Sequence, residues 1–310
     1  KALNYGLEHA QGEFVVVFDA EDRPSPGQPR EAMAAFARGG RDLAVVQAPL
    51  LIDNARDSWL SRQFELEYAI HFLVWLPFLA KIKAPIALGG TSNYFRRRQL
   101  EDAGGWDAWN VTEDADLGLR LARFGREAAM ITLPTWEEAP SRPGEWMKQR
   151  TRWMKGHLQT WLVASRAPFS GKQRFNPGEF LSIQMTLGGS LLASLLHGPL
   201  LVWLIYGLAT QQAALQGWHL GLFAAGYVGV LLAALAALGK PRLTALLLLP
   251  LYWPLLSIAM LRALWEMKTR PQFWAKTQHG FSRTRPVQQV INTPVHETPL
   301  DNVIQLDFGF

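Results

Sequence analysis

The 310 residues contain no cysteine, which excludes disulfide bonds and thiolate catalysis. The seven histidines are scattered and form no ligand cluster, so zinc has no evident protein site. Charge is also missing, in two blocks. No Asp, Glu, Lys or Arg occurs from Leu181 to Gly239, and none from Leu243 to Leu261. A wholly soluble chain would have to bury nearly sixty consecutive uncharged residues with little polar face left for water. Membrane insertion of this half is the reading the composition supports.

The charges that are present follow a pattern. The formal net charge is +5. Arg142, Lys148, Arg150, Arg152, Lys155, Arg166, Lys172 and Arg174 gather just before the apolar region. They form no single stripe of the kind that tracks nucleic acid. They read instead as the cytoplasmic flank of membrane-spanning segments.

Helix and strand signals alternate through residues 1–165, which argues for an α/β sheet domain. Residues 1–10 read as a helix. Phe14–Phe18 reads as a strand buried in a parallel sheet and closed by Asp19. Helices are expected at 30–38, 57–80, 97–103, 113–124 and 144–165, and strands at Leu43–Gln47 and Ala129–Leu133. "IALGGTSNYFRR" is strand-like with a glycine turn. "YAIHFLVWLPFLA" is too short to cross about 30 Å of hydrocarbon and reads as buried or interfacial. Thr112 is expected to cap its helix through its hydroxyl, with Leu117, Leu121 and Phe124 as the apolar stripe.

Apolar spans are expected at about 182–209, 217–238 and 243–264. Three crossings would place the basic segment "EMKTRPQFWAKTQHG" opposite the first domain, against the positive-inside tendency. A break at Gly198–Pro199 or within "PLYWP" would resolve this, and the sequence does not choose. The boundaries drawn are a first domain at 1–165, an interfacial connection at 166–180, about three transmembrane helices at 181–265, a loop at 266–280 and a flexible tail at 281–310. The abrupt start, a helix running at once into "EFVVVFDA", leads to the expectation of a fragment that lacks upstream strands and is inactive alone.

Several residues could carry chemistry. Asp19 ends a strand and is followed by Glu21 and Asp22, acids placed where such folds bind ligands and suited to a hard divalent ion. A solvated acidic turn would look the same. In "TEDAD", the helix dipole alone would favour acids, yet Asp114 could serve as a general base beside Glu113. Gln149, Arg152 and Trp153 share one helix face. Arg152 offers a fork of donors for a diphosphate, and Trp153 a platform for a sugar ring. Arg150 and Lys155 point elsewhere and read as solvent or lipid-headgroup contacts. The alternative for this stretch is an amphipathic interfacial helix anchored by Trp146, Trp153 and Trp161. "GGTSNYF" would let backbone approach a ligand closely.

Taken in order, "KALNYGL", "VFDAED", "GGTSNYF", "TEDADLGLRL" and "QRTRW", then membrane spans, resemble the processive family 2 glycosyltransferases of membranes. That family includes the cellulose-synthase-like proteins and bacterial exopolysaccharide synthases. The resemblance implies a partial GT-A-type, Rossmann-like domain followed by a transmembrane region. The implied reaction is inverting transfer from a nucleotide sugar, a UDP-sugar, to a growing β-linked glycan at the cytoplasmic face of the inner (plasma) membrane. It makes Asp114 the catalytic base with Glu113 and Thr112 completing the motif. Asp19 and Glu21 or Asp22 become ligands of Mg2+ or Mn2+. Gln149, Arg152, Trp153, Gly90 and Thr91 become substrate contacts. Lys1 is placed near the diphosphate, and Lys276 and His279 on a loop facing phosphates. Membrane lipid and other synthesis or export subunits are the implied partners, with no nucleic acid. Single-sugar transfer to a lipid acceptor, or a non-catalytic membrane subunit, are the alternatives.

Overall fold

A computed structural model describes residues 1–210 and 217–273. In chain order the first half comprises α1 (Ala2–His9), β1 (Phe14–Val17), β2 (Arg23–Pro24), α2 (Gln28–Gly39), β3 (Leu43–Gln47), β4 (Leu50–Ile52), α3 (Trp59–Ile70) and α4 (Leu76–Lys81). β5 (Asn93–Arg96), α5 (Arg97–Asp102), α6 (Glu113–Arg123), β6 (Glu127–Met130), β7 (Thr135–Glu137) and α7 (Pro143–Arg166) follow. The apolar half is α8 (Pro177–Ile183), α9 (Gly189–Ala209), α10 (Gly217–Leu238) and α11 (Leu243–Thr269). A π-helical turn joins α3 to α4, and another joins α8 to α9.

The α/β class expected from the sequence is observed, but the sheet is mixed and not parallel. Its order is β1-β5-β3-β6, with β5 antiparallel to both neighbours and β3 parallel to β6. A second sheet of order β2-β7-β4 was not expected from the sequence. Its strands are two or three residues long, too short for alternation to register. β1 is a half-buried strand whose described pairing is to β5 alone, and Val16 is exposed, so its apolar run does not mean burial on both faces. β6 begins two residues earlier than expected, because its register is set by pairing with β3.

α6 buries Leu117 and Leu121 in the main core with Val45, Phe95 and Trp106. Each buried leucine contributes about 2 kcal/mol. Phe124 is only partly buried and terminates the helix. α5 closes at Gly104 and Gly105, both at positive φ, and Asn4 of α1 braces that turn through paired hydrogen bonds with the Trp106 backbone.

Three helical segments are long and apolar enough to cross a membrane: Pro177–Ala209, Gly217–Leu238 and Leu243–Thr269. Neither suspected break occurs. α9 runs through Pro199 and α11 through Pro250 and Pro254. Gly198 instead marks a close helix crossing, where its N–H donates to Ser257 Oγ at 2.9 Å. α10 is mostly exposed and touches α3 through Ala234, Tyr227 and Val230, whereas α11 packs along both α9 and α7. Near its start, Gln63 of α3 donates to the Ala245 carbonyl. Near its end, Lys155 of α7 is fully buried against Glu266. Lys155 therefore does not face solvent or headgroups. Its ammonium also donates to the carbonyl of Phe273 at 2.6 Å.

Candidate active site

The antiparallel insertion of β5 brings its start against the end of β1. The Asp19 N–H donates to Thr91 Oγ1 at 3.1 Å, and Thr91 also hydrogen-bonds the Asp22 carboxylate. Ser92 holds a left-handed φ of 59°, a strain of order 1 kcal/mol. Three bonds hold it there: its N–H donates to the Val17 carbonyl at 2.7 Å, its carbonyl accepts from the Ala48 N–H at 3.1 Å, and its hydroxyl bonds Thr135 Oγ1 at 2.6 Å. Gly90 lies against the next carboxylate, since a Cβ built there would stand 3.5 Å from Asp114 Oδ2.

Glu113, Asp114 and Asp116 occupy the first turn of α6, the positive end of its dipole. Asp116 is a structural residue, paired with Arg120 at 2.7 Å. Thr112 stands at the N-cap but makes no capping bond with its side chain. The reason is packing: that side chain points into α7 at Gly156, where a Cβ would come within 2.2 Å of Thr112 Oγ1. The Asp114 carboxylate itself accepts backbone N–H groups at the helix start.

The Gly156 crossing sets the face of α7 that looks at these acids. Arg152, one turn earlier, faces Asp114, Glu113 and Asp19, whose charges favour its ionised form against the burial that lowers its pKa. Gln149 is 6 % exposed, and its amide oxygen has no donor among the described residues. The Trp153 ring stacks on Tyr68 at 6.3 Å between centroids and packs on Phe64.

Electrostatically the centre is strained by its own acids. Asp19 is itself exposed at the rim, yet desolvation by its surroundings, followed by the charges of Asp22, Glu21 and Glu113, pushes its carboxyl up to about 7, with Arg152 opposing. Burial pushes Asp22 up to about 6, and burial followed by Glu113 pushes Asp114 up to about 7. Glu137, at the end of β7, is raised well above the carboxylate range by burial and then by Asp22 and Asp19, and bonds Tyr68. Oxygen-rich, mutually repelling carboxylates of this kind suit a hard divalent cation. One oxygen of the Asp22 carboxylate, Oδ2, is buried without a partner among the described residues, which fits that donor set. Among the described residues, no three acid or histidine side chains form a preformed metal cage.

The structure thus gathers Asp19, Asp22, Gly90, Thr91, Glu113, Asp114 and Arg152 into one centre, with Gln149 and Trp153 adjoining. Glu21 is exposed but still raises Asp19 through its charge. Lys1 lies over the Trp109 ring at 4.8 Å, beside the loop that leads to Thr112. Lys276, His279 and the 281–310 tail lie outside the described residues. Sequence reasoning missed Glu137 and Tyr68. The doubled acid in "TWEEAP", between a strand and the arginine-bearing helix, was the available signal for the first; Tyr68 looks like any core aromatic. Arg150 was misread. It is buried, paired with Glu67 and packed over Phe64, Trp146 and Trp153, and does not turn to solvent.

A family model described as "Glycosyl transferase family group 2" matches residues 14–263. A probable glucomannan 4-beta-mannosyltransferase of Arabidopsis thaliana is 28% identical over 159 residues, covering 50% of this chain and 29% of the relative. A probable glycosyltransferase of Bacillus subtilis (strain 168) is 29% identical over 164 residues, covering 50% of this chain and 37% of that protein. The matched segment thus spans well under half the length of these curated relatives. A mannosyltransferase from Pyrobaculum calidifontis, solved in complex with GDP-Man and Mn2+, shares the fold at a TM-score of 0.50. Identity with it is 20%, over 86% of this chain and 65% of that one.

Proposed function

Because the chain belongs to glycosyl transferase family group 2, we propose that it transfers a sugar from a nucleotide sugar to a hydroxyl of a growing β-linked polysaccharide. The observation that carries this reading is the close α6–α7 crossing at Thr112 and Gly156, which brings the charges of Asp114, Glu113 and Asp19 to bear on Arg152. The acceptor oxygen attacks the anomeric carbon as the bond to the diphosphate breaks, and the hydroxyl proton passes to Asp114. Direct displacement inverts the anomeric configuration. Glu113 keeps the base strong enough to accept that proton near neutrality. Arg152 meets the negative charge that grows on the leaving diphosphate. Gln149 offers its amide oxygen to a sugar hydroxyl, and Trp153 offers its face to the ring. Asp19 and Asp22, with Glu21 at the rim, would hold a Mg2+ or Mn2+ ion that supplies further charge neutralisation at the diphosphate.

Residues 1–165 form the catalytic unit in this reading, and the apolar half anchors it at the cytoplasmic face of the inner membrane. Two crossings, by the helix through α9 and by α10, return the chain to the side from which it left. α11 then lies along the catalytic unit at the membrane boundary. The contacts of Lys155 with Glu266 and Phe273 support this topology, and it resolves the charge conflict seen in the sequence.

Membranes containing the full-length protein should be incubated with labelled UDP- and GDP-sugars, and the product digested with linkage-specific glycosidases. UDP-sugars come from the sequence resemblance and mannosyl donors from the relatives' names. A polymer is expected. A single sugar on lipid would assign the lipid-acceptor alternative, and no transfer from any donor would end the enzymatic reading. Trp153→Ala is expected to cut elongation at least ~10-fold more than donor hydrolysis; equal losses would remove its acceptor role.

The raised carboxyl groups make a second prediction. Unfolded aspartates titrate near ~3.9, so between there and about pH 7 the folded state binds more protons and loses stability as pH rises. Mn2+ bound at the ionised acids offsets this repulsion. It is therefore expected to raise the Tm by several degrees at pH 8 and by little at pH 5.5, where protons compete. A Tm shift that is equal at both values, or absent in both, would argue against cation binding by these acids.

A further inference from the structure

On an α-helix a separation of two residues turns the side chain by about 200°, so Arg150 and Arg152 of α7 face opposite ways. Arg152 faces the acids of the centre. Arg150 faces α3, where its guanidinium is paired with Glu67 and its side chain is only 12 % exposed. Trp153 projects between them, about 60° from Arg150. The Arg150 guanidinium lies 5.0 Å from the Trp153 ring centroid and 4.2 Å from that of Phe64. The same Glu67 oxygen accepts a hydrogen bond of 2.8 Å from the Tyr252 hydroxyl of α11. That hydroxyl in turn accepts from Trp146 Nε1 at 3.3 Å. Tyr252 is fully buried although it lies in an apolar helix.

We infer that Arg150, Glu67 and Tyr252 are positioning residues that set the plane of Trp153 and make the seating of α11 a condition for the acceptor platform. The proposal rests on the acceptor role assigned above to Trp153. Its physical basis is the restriction on each group. A carboxylate that accepts from both an arginine and a phenol has little freedom to move. A planar guanidinium held by that carboxylate forms a rigid wall for the indole, which a lysine ammonium would not. Glu67 also balances the charge of Arg150, which leaves the field of Arg152 directed at the acids and the diphosphate. A helix at the lipid boundary is thereby joined through three side chains to the ring that meets the acceptor.

The test uses the full-length protein in lipid nanodiscs, with Tyr252→Phe, Glu67→Gln and Arg150→Lys. Incorporation of 5-fluorotryptophan, with the Trp153 resonance assigned through Trp153→Phe, reports the ring's environment without any substrate. Each variant is expected to shift or broaden that resonance. Acceptor KM should rise about five- to tenfold while donor hydrolysis stays within about twofold. The Tyr252→Phe/Glu67→Gln double variant should lose little more than Glu67→Gln alone, as coupled residues do. An unmoved resonance overturns the network. So does equal loss of transfer and hydrolysis, or additive losses in the double variant. Movement of the resonance in a protein that transfers no sugar would sustain the network and overturn the functional reading instead.

Discussion

Asp114→Asn is expected to reduce glycosyl transfer by about 10³-fold, with nucleotide-sugar binding changed by less than about twofold. Asparagine keeps the shape and can still accept backbone N–H groups at the start of α6, but it cannot take a proton. Removing one of two adjacent negative charges also relieves Glu113, so binding of an anionic donor has no electrostatic reason to weaken. In the unsubstituted protein, kcat/KM should fall as pH drops through about 7, where the free Asp114 carboxyl becomes protonated. The acid limb should disappear from whatever activity the asparagine variant retains. Normal turnover in that variant, or an acid limb unchanged by it, would remove Asp114 from the role of base.

Gly156→Ala should be nearly as damaging, although residue 156 carries no functional group. A Cβ there would lie 2.2 Å from Thr112 Oγ1 and 2.5 Å from its Cγ2. Ordinary contacts between such atoms are about 3.5 Å, so α6 and α7 must separate by roughly an ångström. Over-packing of this kind costs about 1–3 kcal/mol. The larger effect falls on activity, because Thr112 is followed at once by Glu113 and Asp114, and α7 carries Arg152. A displacement of about 1 Å between reacting groups can cost about 10²-fold. Adding Thr112→Ala removes the two closest atoms and should restore part of both stability and rate. Gly144→Ala, on the same helix with open space around it, should leave both unchanged. If Gly156→Ala kept full activity, the α6–α7 crossing would not be what places the base opposite the arginine.

These two expectations differ in how visible their causes were. Asp114 stands out in "TEDAD" because acids in the first turn of an amphipathic helix are a local pattern, and residues three or four apart determine the buried stripe. The role of Gly156 is invisible there, because the clash it avoids is with a residue forty-four positions away. Thr112 shows the same limit: its position at the N-cap was readable, but the direction of its hydroxyl was decided by the neighbouring helix.

The arginines make the point within one segment. Helical periodicity placed Gln149, Arg152 and Trp153 on one face, yet the fate of Arg150 depended on Glu67 and Phe64 arriving from α3. Tyr68 escaped notice because a lone tyrosine has no local signature, and the doubled acid that includes Glu137 does not reveal which way it faces; placement beside Asp19 and Asp22 gives both residues meaning.

What the amino-acid order determined by itself was the α/β alternation, the candidate acids, the face of α7 and the apolar helices, all consequences of neighbours within a few residues. What only the tertiary structure decided was the antiparallel insertion of β5, the partners that Arg150 finds on α3 and the docking of α11 along the α/β half. Those features arise from contacts between distant segments, where packing and charge neutralisation select among partners that local sequence leaves equally available.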